Sequence, residues 1–135
     1  MLKVIDYVIP EVECRANPAC PTNPQDVTPP SIRVGNRLAV KEKEEDVYRL
    51  SLHVEFGGPE EKCSYFGQIK VVGLFSIQHD VANKEIVLLV GGLGVLYSAA
   101  REFILSITSR GPNAPLMLPI VQFRPIVGGR NQANK

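Results

Sequence analysis

The chain is expected to fold as one α+β domain: a four-stranded antiparallel sheet with a long crossover loop, followed by a short helix and one long helix packed on the sheet. Three observations predict this. Apolar residues recur at period two in four segments before residue 78, the spacing of strands. Five prolines (Pro18, Pro21, Pro24, Pro29 and Pro30) crowd residues 16 to 30 between the first and second of those segments. After residue 83 the period shifts to that of a helix, and runs of strands followed by helix put the helices on one face of an antiparallel sheet.

Each element has its own justification. LKVIDYVI (2–9) alternates, with Leu2, Val4 and Val8 on one side and Ile5, Tyr7 and Ile9 mostly on the other. The proline density of 16–30 forbids helix and interior strand, so an extended crossover is expected there. In SIRVGNRLAV (31–40), Ile32, Val34, Leu38 and Val40 share a face opposite Arg33 and Arg37. KEKEED (41–46) reads as a solvated turn. VYRLSLHVEF (47–56) alternates throughout: Tyr48, Leu50, Leu52, Val54 and Phe56 face one way, and Arg49, Ser51, His53 and Glu55 the other, the pattern of a half-buried antiparallel strand. GGPEE (57–61) is a turn. SYFGQIKVVGLFSI (64–77) is the fourth strand, and Gly67 and Gly73 within it suggest bulges or close backbone approach.

Asn83 is placed to cap a short helix over 84–90, which Gly91, Gly92 and Gly94 are expected to break. The long helix then covers GVLYSAAREFILSITSRG (94–111), ended by Gly111 and Pro112 as left-handed cap and breaker. LMLPIVQFRPIV (116–127) carries Pro119 and Pro125 and makes at best an edge strand. The domain is thus expected over 1–127, with 128–135 a disordered tail.

The long helix is too apolar for one neighbour. Leu96, Tyr97, Ala99, Ala100, Phe103, Ile104 and Ile107 spread over roughly 160° of arc, where a helix on a sheet needs little more than ~100°. The remaining arc holds short polar residues around Leu105. The alternative is a helix sunk in its own core, but only four strands and one short helix are available to bury it. Ser98, Arg101, Glu102, Leu105, Ser106 and Ser109 are therefore the expected contact with further copies of the chain, a homo-oligomer being the common solution.

Composition excludes several functions. A formal net charge of +1 provides no electrostatic drive toward nucleic acid or an anionic membrane. The start, MLKVIDYVIP, lacks the layout of a signal peptide, because Lys3 and Asp6 interrupt the apolar run. IVLLVGGLGVLY (86–97) is shorter than the ~18 apolar residues of a membrane span. No membrane insertion and a cytoplasmic location are expected. Cys14, Cys20 and Cys63 are an odd number, read as reduced thiols. With His53 and His79 in unrelated contexts, no metal site is expected. No nucleophile–base pair, carboxylate dyad or phosphate loop is present. GGLG (91–94) lacks the strand context and lysine of a phosphate loop, so neither an enzyme nor a cofactor is expected.

GLFSI (73–77), AREFILSITSRG (100–111) and LMLPIVQF (116–123) together resemble the signature of the SecB export chaperones, and DVYRLSLHV (46–54) resembles that family's third strand. The resemblance runs over about residues 2 to 127. It implies a homotetramer, a dimer of dimers with the long helices sandwiched between sheets. It also implies an ATP-independent holdase that keeps unfolded or preprotein chains translocation-competent in apolar grooves and passes them to the SecA motor. Matching positions make Val27, Ile32, Val34, Phe66, Leu74 and Phe123 the groove candidates. A second form of the same implication is a dedicated chaperone for one client, such as an antitoxin of a toxin–antitoxin pair.

The chain also departs from that pattern. Of the acids implied for SecA docking, Glu11 keeps one, another falls on Arg15 with reversed sign, and the strand-four acid falls on Gln68 beside Phe66. Opposite-sign complementarity at that surface is weakened. Ser98 stands where the family has a helix proline, and no residues match the family's second long C-terminal helix.

Overall fold

A computed structural model describes residues 2–40, 46–78, 82–126 and 130–134. His79 and residues 41–45 of the expected charged turn lie outside them. Four strands, β1 (Leu2–Ala16), β2 (Ile32–Val40), β3 (Val47–Phe56) and β4 (Tyr65–Ile77), form one antiparallel sheet in the order β1-β4-β3-β2. This is the expected α+β architecture. The fourth strand lies beside the first, so the chain crosses the full sheet between β1 and β2 through residues 17–31. That segment holds one short 3₁₀ turn, Pro24–Asp26, whose start is capped by the Asn23 side chain accepting from Gln25 N–H.

Burial alternates along β3 and β4 as period two demands. Leu50, Leu52, Val54, Phe56, Ile69, Val71 and Phe75 are fully buried. The residues between them, among them Arg49, His53, Glu55, Lys70 and Leu74, lie on the other face. The first set faces the helix and is called the helix side below; the second is the open side.

β1 is longer than the expected 2–9 and is not flat. Its pairing with β4 slips between Val4 and Asp6 and again between Val8 and Glu11. Each slip exchanges the faces, so Leu2, Val4, Tyr7, Val12 and Cys14 register on the helix side and Val8 on the open side. The bulges therefore sit in β1, not at the β4 glycines. Gly67 and Gly73 mark close approach instead. A Cβ at Gly67 would collide with the Glu13 carbonyl of β1, and one at Gly73 would come within 2.8 Å of Leu96 Cδ2.

The helix also differs from expectation. Asn83 is in the left-handed conformation (φ 57°) and its side chain caps nothing; its carbonyl accepts from Val87 N–H. Helix α1 (Lys84–Val87) does not break at the glycines. It passes through one π-helical turn, Leu88–Gly92, into α2 (Leu93–Thr108). A Cβ at Gly92 would stand 2.6 Å from Leu50 Cδ2, so this glycine lets the turn lie directly on the sheet, and the wide turn absorbs the offset. The uninterrupted helix over 84–108 is long and apolar enough to cross a membrane by length and composition, which the broken reading of the segment had hidden. Here it lies on the sheet, with Leu88, Leu93, Leu96, Ala100 and Ile104 fully buried. Gly111 has no left-handed backbone. It is small because a Cβ there would run into the Tyr65 hydroxyl.

After the helix the chain returns antiparallel to α2. Thr108 Oγ1 accepts from Leu116 N–H (2.9 Å), Arg101 Nε donates to the Leu118 carbonyl (2.9 Å) and Tyr97 Oη to that of Pro119 (2.6 Å). Tyr97 and Phe123 meet edge to face at 5.9 Å. Strand β5 (Gln122–Ile126) then pairs with β6 (Arg130–Asn134) in a separate two-stranded sheet. Residues 130–134 were expected to belong to a disordered tail; the open edge of β5 provides their backbone groups with partners.

Candidate functional site

The core closes over the middle of the helix side and leaves its flanks unfinished. α2 packs on β4 and β3. On β2, beyond that cover, Ile32, Val34 and Leu38 stay half-buried. On β1, at the other edge, Val4, Tyr7 and Val12 are exposed. The return segment fastens Leu116, Leu118, Val121 and Phe123 into the core and turns Met117 and Ile120 outward, 60% and 70% exposed. Alternation turns Leu116 and Leu118 inward and Met117 outward; the phase shifts by one residue at Pro119, so Val121 and Phe123 face the core and Ile120 faces solvent. The result is a broken apolar surface around α2, of the kind that marks binding sites for other chains.

Polar bonds hold its frame. Asn17, 3% exposed, donates through Nδ2 to the carbonyls of Glu61 and Cys63 (both 2.9 Å). Asn113 Nδ2 donates to the Ser64 and Asn17 carbonyls at 2.8 and 3.2 Å, and Tyr65 Oη accepts from Asn113 N–H at 3.0 Å. The end of β1, the start of β4 and the exit of α2 are thus tied together. Burial pushes the Tyr97 phenol up from 10.0 to about 12, against the pull of the Arg101 guanidinium, and the Cys14 thiol from 9.0 to about 11. Both stay protonated near neutrality, Tyr97 as a hydrogen-bond donor and Cys14 as an unreactive thiol. Among the described residues, no three metal-ligating side chains cluster.

The six groove candidates do not share one surface. Ile32 and Val34 are on the helix side, and Phe123 belongs to the core on that same side. Phe66 and Leu74 point to the open side, in register with Arg15 and Asp6 of β1. Val27 is half-buried at the end of the crossover's 3₁₀ turn. Of the outward helix residues, Ser98, Glu102, Ser106 and Ser109 are exposed and Leu105 is half-buried. Arg101 spends one donor on Leu118. Glu11, Phe66 and Gln68 do share a face, the open side. Their β1 and β4 register partners there are Lys70, Arg15 and Glu13, and Gln68 Oε1 is bonded to His53 Nε2 at 2.6 Å. Met117 and Ile120 were not singled out from the sequence. Period two within LMLPIV marks Met117 as outward but groups Ile120 with Leu116 and Leu118, so no simple pattern signals Ile120.

An antiparallel sheet of order β1-β4-β3-β2, one face sealed by a long helix and flanked by uncovered apolar residues, defines an α+β fold with apolar surface left open beside its core. Comparison places it. The pattern of the SecB family, preprotein translocase subunit SecB, matches residues 13–134, and the chain belongs to that family. Protein-export protein SecB of Wolbachia sp. subsp. Drosophila simulans is 29% identical over 110 residues, 74% of this chain and 65% of that protein. The protein of the same name from Ehrlichia ruminantium is 30% identical over 103 residues, 69% of this chain and 59% of its own length. The chain thus spans about two thirds or less of these relatives. Among solved structures, a Mycobacterium tuberculosis SecB-like chaperone in complex with a ChAD peptide from the HigA1 antitoxin shares the fold. Its TM-score is 0.66 at 14% identity, covering 88% of each chain. A Streptococcus agalactiae protein of unknown function follows at 0.52 and 12% identity, covering 89% of this chain and 98% of that one.

Proposed function

We propose that this chain is the subunit of an ATP-independent chaperone that holds unfolded or preprotein segments on the helix side of its sheet. The observation that carries the reading is the uncovered apolar surface there: Ile32, Val34 and Leu38 on β2 and Met117 and Ile120 on the return segment. An unfolded chain gains by burying its own apolar residues against such a surface, which competes with its collapse and aggregation. Extended clients also add main-chain hydrogen bonds where a strand edge is free. Membership in the SecB family supports the same reading.

The β1 flank suits a different occupant. Val4, Tyr7 and Val12 lie on an edge strand of 15 residues, next to a helix whose outer arc of Ser98, Glu102, Ser106 and Ser109 lets another backbone come close. Symmetric copies of the chain would cover both, which fits a homotetramer acting in the cytoplasm. Transfer to SecA would use the open side, where Glu11 remains but Arg15 and Lys70 stand beside Phe66 and Gln68. Weak or absent SecA binding is expected.

Light scattering should give four times the 14.8 kDa chain mass, and the protein without ATP should suppress aggregation of a urea-unfolded preprotein. Full aggregation in the presence of folded protein would refute the holdase role. Protection confined to a single partner would support a dedicated chaperone, a form suggested by the antitoxin peptide bound to the Mycobacterium fold neighbour.

A further inference from the structure

We propose that the concave open side of the sheet docks an acidic, extended segment of a partner protein. The site is separate from the apolar surface and does not depend on that reading. A concavity of about 750 Å³ lies on this side, and the groups that carry the inference are Arg37, Arg49, His53, Lys70, Val8 and Val72. Its three cations are exposed, and among the described residues none of them forms an ion pair. Among the described residues, the acids of this side are otherwise engaged or peripheral. Glu13 pairs with Arg15 at 3.1 Å, Glu55 approaches Arg33 at 3.9 Å, and Asp6 Oδ1 accepts from Tyr7 N–H at 2.8 Å. Glu11 registers against Lys70 but is not bonded to it, so it offsets one charge of three at most.

The layout of the cations selects the ligand. Arg37 is on β2 against Ser51, Arg49 on β3 against Leu74, and Lys70 on β4 against His53. Their backbone positions are spread over three strands, roughly 5 Å apart across the sheet and about 7 Å apart for every second residue along it. A single small anion meets one of these groups at a time, whereas an extended peptide presents successive side chains at matching intervals. Val8 and Val72 among the charges supply apolar contact for residues between the acids. Nucleic acid is disfavoured because the whole chain carries only +1, too little for binding driven by counterion release.

Fluorescence anisotropy tests this with a labelled peptide of alternating Glu and Val, about ten residues long so that it spans the sheet. Matched Ser–Val and Lys–Val peptides and a short oligothymidylate are the comparisons. The wild-type protein should bind the Glu–Val peptide about 10-fold more tightly than the Ser–Val peptide. The Arg37→Gln, Arg49→Gln, Lys70→Gln triple variant should lose about that factor, three exposed ion pairs each contributing modestly. Added salt should weaken binding to wild type. The substituted heads are exposed, and circular dichroism checks the fold. If the triple variant is unfolded, the peptide series and salt titration on wild type decide alone. Equal binding of Glu–Val with Ser–Val or Lys–Val would overturn the proposal. So would a folded triple variant with unchanged affinity, or tighter binding of the oligothymidylate, which would make the face a polyanion site.

Discussion

On the helix side of the sheet, Phe75, Leu50 and Ile69 are sealed under α2 while residues two strands away on the same face are half-covered. On the open side nothing is sealed, and charges alternate with valines. The same four strands therefore hold the molecule together with one face and present a charged hollow with the other. The proposed client binding competes with stability for the helix side, because every apolar residue left uncovered there is one not spent on the core. The open side has no such conflict, and its side chains can change with little effect on folding.

Substitutions ordered by cost sharpen this contrast. Phe75→Ala removes a fully buried ring between the sheet and the π-helical turn and should cost about 3–5 kcal/mol, read as a fall in the urea midpoint at unchanged slope. Asn17→Ala takes its donor from the buried Cys63 carbonyl and the part-buried Glu61 carbonyl and should cost about 1–3 kcal/mol in the same assay. Alkaline pH acts on the helix side through Tyr97. Its folded value lies above the ordinary one, so its contribution is fully present below pH 10.0 and is lost as pH rises toward about 12. Cys14 acts with the same sign between 9.0 and about 11. The urea midpoint should fall through that range, and Tyr97→Phe should remove the upper part of the fall. On the open side, Arg15→Ala breaks the exposed 3.1 Å pair with Glu13 and should cost less than about 1 kcal/mol. An effect there as large as that of Asn17→Ala would break the contrast between the faces.

How much of this the sequence disclosed varied by element, for physical reasons. β3 was legible from end to end because one face is buried and the other wet, so alternation and burial coincide. β1 was read short and with its later residues on the wrong faces. Bulges shift the period by one residue and leave no mark in composition, so Tyr7 and Val8 changed sides. The glycines at 91, 92 and 94 read as breakers from local propensity, but at 92 the close approach of Leu50 makes glycine the residue that permits the helix to seat. Of the positions matched one by one, Ile32 and Val34 lie on the helix side and Phe66 and Leu74 on the open side, a division set by register, which the sequence does not display. Met117 and Ile120 were not singled out because the segment shifts phase at Pro119, and period two counted from Leu116 puts Ile120 inward.

The central claim is that unfolded clients bind the helix side and not the open side. Photo-crosslinking tests it directly, with a benzophenone side chain replacing Ile120 in one variant and Ser76, which faces the open side from β4, in another. Illumination with a urea-unfolded preprotein should give a client adduct from position 120 and little or none from position 76. Equal adducts from both positions, or a stronger one from position 76, would contradict the account.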